Sequence, residues 1–284
     1  MFPDSMAKKN KVNRELELVQ NWLELEDPLG IATHIDVDAD AVFSAALLQT
    51  LRPTVPVAFL RADVEIKTEE VIVVDMMNGP RAVKGQAQGS AFGLLVLAIK
   101  QTHPVLHNIL KPWAKQLNLT DQAKHCHDRV VLADLVNAWK ACGLEDRDIL
   151  NRAVELLSGK WKRGKRRQQQ AERAASIPIE NGIAVLGVED RVQAKDLFHR
   201  KALAVVRENE NGMAVMLSKK AQQTGLNLSS LKSDGTFGED WFFHPDGWLA
   251  SYGGPKAPKD PKESGITIAA LAERTKNLLA EVKQ

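Results

Sequence analysis

The segment from Gly30 to Leu51 constrains this chain more than any other. Ile31-Ala32-Thr33 is a short apolar run. It is followed within seven residues by one imidazole and three carboxylates, His34, Asp36, Asp38 and Asp40, and then by the alanine-rich apolar stretch Ala41 to Leu51. A strand entering an acidic turn that feeds a buried helix is the local structure this pattern predicts, with Pro53 and Pro56 closing the helix. Crowded like charges cost free energy unless a cation offsets them. Hard divalent ions take oxygen ligands, and manganese, iron and zinc admit imidazole as well. The turn is therefore a candidate metal site. The plainer alternative is a solvated acidic loop in which Asp40 caps the following helix.

The rest of the chain extends this into an α/β protein. Asn13 to Glu26 spaces Leu16, Val19, Leu23 and Leu25 as the stripe of an entry helix. Val55 to Leu60 and Val71 to Val74 read as buried parallel strands, the second ending on Asp75. Gly89-Ser90-Ala91-Phe92-Gly93 leads into apolar Leu94 to Ile99, and helical stretches are expected over 103–117 and 129–141. Strands are expected over 183–188, 202–206 and 213–217, with a helix over 191–199. A hairpin is expected around Pro245-Asp246-Gly247, and a closing helix over 266–282. The economical architecture is a parallel sheet with helices on its faces and functional residues at the carboxyl ends of its strands.

At 284 residues the chain suits two modest domains. The basic stretch from Ser158 to Ala175 marks the boundary. We expect a metal-binding domain over 1–157, a basic helical linker over 158–178 and a smaller α/β domain over 179–284. A composition of 44% hydrophobic and 26% charged residues excludes extensive disorder. No apolar window is long enough to cross a membrane and the N-terminus lacks a secretory core, so a cytoplasmic protein without membrane partners is expected. Two cysteines, Cys126 and Cys142, are too few for a disulfide scaffold or a Cys-based zinc site and are expected to be buried thiols. His125 and His127 stand two apart, and a surface role is expected for them.

His34, Asp38 and Asp40 have the spacing His-x3-Asp-x-Asp, followed by Ala41-Val42-Phe43-Ser44-Ala45. This resembles the first motif of the DHH phosphoesterase superfamily, in its RecJ-like and MYG-type branches. The resemblance implies a parallel-sheet DHH-type N-terminal domain. It further implies that His34, Asp38, Asp40 and a strand-ending aspartate, here Asp75, hold one or two divalent ions, manganese or magnesium. A further ligand arrives from a later helix in the family, and Asp134 is the candidate. The Asp-His-His segment that names the superfamily has no counterpart after Asp75, where the chain reads Met76-Met77-Asn78-Gly79-Pro80-Arg81-Ala82-Val83-Lys84-Gly85. Arg81 or Lys84 is a candidate to supply part of the missing positive charge by binding phosphate oxygens.

The segment Phe243 to Gly254 is similar to the end of the MYG-type proteins. Ser251, Gly253, Gly254 and Lys256 are candidates for phosphate or substrate contact, with Lys259 close by, although Gly-Gly is also ordinary turn sequence. Lys160, Lys162, Arg163, Lys165, Arg166 and Arg167, with Trp161, suit a nucleic-acid backbone and one stacked base. A solvated helix face is the plainer account. The function these features imply is a metal-dependent phosphodiesterase acting on nucleic acid or short oligonucleotides. The alternative is a degenerate relative that binds nucleic acid, nucleotide or a protein partner without hydrolysis. A homodimer is left open.

Overall fold

A computed structural model describes residues 3–124, 131–234 and 237–281. The chain divides into two compact units, 1–165 and 166–284. The basic stretch from Ser158 to Ala175 falls in the C-terminal part of one long helix, Asp146–Ser176, and the division between the units lies inside that helix.

The first unit begins with α1 (Pro3–Glu24) and alternates strands and helices: β1 (Gly30–His34), α2 (Ala39–Leu51), β2 (Val57–Leu60), β3 (Val71–Val74) and β4 (Ala82–Val83). α3 (Ala91–Ala98), α4 (Pro104–Asp121), α5 (Leu132–Ala141) and α6 (Asp146–Ser176) follow. The four strands are parallel in the order β2-β1-β3-β4. Because β1 is flanked by the two strands that come after it, the chain path changes direction at β1 and β3. The carboxyl edge at such a switch point is where α/β folds open a crevice.

α2 forms where the sequence predicts and is buried on nearly every side, Val42, Phe43, Ala45, Ala46 and Leu47 being fully inaccessible. A helix apolar all round must be covered all round, and α2 lies against β1 and β3 as well as α3, α4 and α5. Phe43 makes edge-to-face contacts with Phe92 and Trp113, at 6.2 and 5.6 Å between centroids, joining α2 to α3 and α4. Trp22 of α1 is fully buried and donates its indole N–H to the Glu70 carbonyl at 3.1 Å, closing the other side of the core.

The entry into α3 is sterically exacting. Gly85 has φ +68°, and a Cβ there would stand 2.1 Å from the Ser90 carbonyl oxygen. Ser90 then caps α3 by accepting from the Gly93 N–H at 2.9 Å, and its hydroxyl donates to Asn118 of α4 at 2.6 Å. The Gly89-Ser90-Ala91-Phe92-Gly93 sequence thus builds a tight turn, a cap and a close helix contact in succession.

The second unit holds β5 (Ile183–Leu186), α7 (Ala194–His199), β6 (Ala204–Asn209), β7 (Gly212–Leu217) and α8 (Lys219–Gln223). After these come β8 (Phe242–Phe243), β9 (Leu249–Gly253) and α9 (Ile268–Glu281). Its sheet runs β5-β6-β7-β9-β8, parallel between β5 and β6 and antiparallel elsewhere. The hairpin and closing helix stand where the sequence predicts. Cys142 is exposed rather than buried, as the C-cap of α5, where no core element covers it. Cys126, His125 and His127 lie outside the described residues.

Candidate metal centre

Three neighbouring strands deliver the site by register. Ala32 pairs with Val73 in β1 and β3, and Val74 pairs with Val83 in β3 and β4. Continuing each ladder to the strand ends brings His34 beside Asp75 and Asp75 beside Lys84. The side chains meet accordingly: His34 Nε2 lies 3.3 Å from Asp75 Oδ2, and Lys84 Nζ hydrogen-bonds Asp75 Oδ1 and, at 3.2 Å, the Asp75 carbonyl. Thr33 Oγ1 donates to the Val74 carbonyl at 3.1 Å and pins the two strands just below. Asp75 is buried and has φ +56°, a left-handed conformation that aspartate tolerates better than most residues.

The acidic turn folds over this row. Asp38 Oδ1 accepts from the Ala41 N–H at 2.9 Å and is the N-cap of α2, the part the plainer account had given to Asp40. His34, Asp38 and Asp75 together offer one ligand atom each, all within 4.8 Å of one another. Hydrogen bonding to Asp75 first, opposed by burial, lifts the His34 pKa to about 9, with the Asp38 charge adding to the rise. Two carboxylates and an imidazole, one carboxylate deeply buried, make a donor set that a divalent ion could use.

Asp40 points elsewhere. Its two oxygens accept the Ala91 and Phe92 N–H groups at 2.7 and 2.8 Å, joining α2 to the start of α3. Burial, and then the charge of Asp75, raises its pKa to about 8 against the opposing pull of those two donors. Asp36 is exposed, with an ion pair to Lys140 at 2.5 Å. The N–H groups of Asp36 and Val37 are held by Asp146 at 2.8 and 3.0 Å, so the turn is tied to α6.

Asp134 does not join the cluster: it stands exposed on the first turn of α5. The later-helix aspartate whose charge is felt at the site is Asp121, exposed in the last turn of α4. Loss of solvent around its carboxyl and the charges of Asp75 and Asp38 raise its pKa, while Lys84 lowers it. Sequence reasoning missed it. The signal available was its unfavourable place, an acid at a helix C-terminus where the dipole repels negative charge. Of the two basic candidates, Lys84 is in the site. Arg81 turns the other way, donating to the Leu18 carbonyl of α1 at 3.4 Å.

Lys160 lies over the Trp113 ring and Lys165 over Trp161, each at 4.1 Å, while Trp161 packs on the core beside His103. Lys162, Arg163, Lys165 and Arg166 are exposed, and Arg167 pairs with Asp196 at 2.6 Å. In the second unit Ser251 and Gly253 are ladder residues of β9, and Gly254 exchanges backbone hydrogen bonds with Ala257. Lys256 is exposed, and Lys259 lies over Tyr252, 4.8 Å from the ring.

No protein-family model matches the sequence, and no curated protein matches it. Among solved structures the chain is similar to a pGpG-specific phosphodiesterase, PggH, of Vibrio cholerae, with 13% identity over 91% of this chain and 99% of that one and a TM-score of 0.35. It is similar to RecJ in complex with Mg2+ from Thermus thermophilus, with 15% identity over 95% of this chain and 52% of that one and a TM-score of 0.30. An exopolyphosphatase-related protein of Bacteroides fragilis gives 12% identity over 94% and 98% and a TM-score of 0.27. The parallel sheet, the acid-bearing turn after its first strand and the aspartate ending a later strand are those that the resemblance to the DHH phosphoesterase superfamily implied, and the first unit carries them without the Asp-His-His segment.

Proposed function

We propose that this protein is a divalent-metal-dependent phosphodiesterase of DHH type, acting on nucleic acid or short oligonucleotides. The observation that carries the reading is the convergence of His34, Asp38 and Asp75 within 4.8 Å at the carboxyl edge of the sheet. His34, Asp38 and Asp75 would hold the ion, and Asp121 would face it from α4. A divalent ion bound there supplies Lewis-acid polarisation of the phosphate ester and a lowered pKa for water. The chain's own groups do the rest. Lys84 presents a fixed positive charge beside Asp75 for a phosphate oxygen. The tie from Asp146 to the Asp36 and Val37 N–H groups keeps the ligand-bearing turn in place.

The test is release of mononucleotides from short single-stranded RNA and DNA with added manganese, compared with Asp38→Ala and with metal removed by chelator. Turnover that Asp38→Ala or chelation reduces by about a hundredfold or more supports the reading, this being the scale expected when metal assistance is lost. The second reading, binding without hydrolysis, is favoured by one feature, the missing Asp-His-His histidines. It predicts oligonucleotide binding with no metal-dependent turnover in either protein.

A further inference from the structure

Lys84 is not a peripheral base near an acidic site but part of its construction. The register of β3 and β4 puts it alongside Asp75, and its ammonium bonds both the Asp75 side chain and, at 3.2 Å, the Asp75 backbone carbonyl. An ammonium carries three donors, and two of them are spent on Asp75. We propose that Lys84 is a built-in replacement for a second cation. Its ammonium holds the Asp75 oxygen that a second ion would bridge, and the centre takes a single divalent ion between His34, Asp38 and the other Asp75 oxygen. This rests on the metal-dependent reading above.

Charge and ligand supply both point this way. Asp38, Asp75 and Asp121 bring three negative charges, which one divalent ion and one ammonium balance. A second divalent ion beside Lys84 would leave its whole positive charge in excess. Asp40 is counted apart from this balance, because its two oxygens face the α3 N-terminal N–H groups, whose partial positive charge opposes its own. The segment from Met76 to Gly89 contains no histidine, cysteine or acidic residue, so it offers neither an imidazole nor an anionic side chain to a second ion. The pair is largely shielded from water, Lys84 being 28% exposed at its side chain and Asp75 2%.

The experiment is manganese uptake by the full chain, measured by equilibrium dialysis and by electron paramagnetic resonance, for the unmodified protein, Lys84→Gln and Lys84→Arg. The unmodified protein is expected to take up one ion with the six-line spectrum of an isolated Mn2+. Lys84→Gln, freed of a positive charge beside a ligand, should bind that ion about tenfold or more tightly, and Lys84→Arg should stay near the original affinity. Two ions with an exchange-coupled spectrum in the unmodified protein overturn the proposal but leave the metal-dependent reading standing, as does a Lys84→Gln affinity equal to the original. No bound ion in any of the three overturns the metal-dependent reading, and the proposal with it. The first measurement needs no substitution, so it decides the ion count even where Lys84→Gln does not fold.

Discussion

His34 has two possible partners for one nitrogen, a proton and a metal ion. In the ion-free site it is held protonated by Asp75, with its pKa raised to about 9. A metal ligand must be the neutral imidazole. Between pH 6.5 and 9 the ion therefore has to displace a proton, and affinity should rise with pH, by about tenfold per unit for one proton released, flattening above pH 9. Calorimetric titration with manganese in buffers of differing ionisation enthalpy measures that proton directly, and a count near zero at about pH 7.5 would contradict the assignment. Asp40 should behave oppositely to Asp38 at the same scale. Asp38→Ala is expected to abolish ion uptake and to cost only the lost N-cap of α2, about 1 kcal/mol. Asp40→Ala strips two buried N–H groups of their acceptor and should destabilise the fold by about 2–4 kcal/mol, read as a fall in denaturant midpoint. A loss of ion binding in Asp40→Ala at unchanged stability would make it a ligand rather than an anchor.

At the scale of elements, the turn from Gly85 to Ser90 couples β4, and so Lys84, to α3. Gly85→Ala introduces a Cβ 2.1 Å from a backbone carbonyl in a left-handed conformation, so it should cost about 2 kcal/mol or more and show as a lowered chemical-denaturation midpoint. Strand β1, the acidic turn and α2 are legible in the sequence because an apolar run, a charged interruption and an alanine-rich run are each longer than the ambiguity of the pattern. β4 is not, since Ala82-Val83 has no period to detect, and without β4 nothing distinguishes Lys84 from Arg81 as the basic group at the site. The choice between Asp121 and Asp134 fails for a related reason. Both lie on amphipathic helices, and which helix end meets the sheet is fixed by the packing of α4 against α2 and α3 rather than by local spacing. Trp161 has a second role that its setting among lysines does not announce: its half-buried ring packs against the core beside His103.

For the molecule as a whole, a net charge of +2 hides a local excess that decides how the chain would meet a polyanion. The exposed cations Lys162, Arg163 and Lys165 lie on the part of α6 within the first unit, and none forms an ion pair among the described residues. If they contact the backbone of a single-stranded substrate, replacing all three by glutamine removes up to three phosphate contacts. The slope of log K against log salt should then shrink by about 2, at roughly 0.7 per contact. Because the three side chains are solvent-exposed, the thermal midpoint should move little, within the range of ordinary surface substitutions. Turnover of dinucleotides, too short to reach past the metal centre, should then be unchanged while longer strands are cleaved less efficiently through a raised KM. An unchanged salt slope with intact binding would place the polyanion on another face and return these cations to the plain role of solvating a long helix.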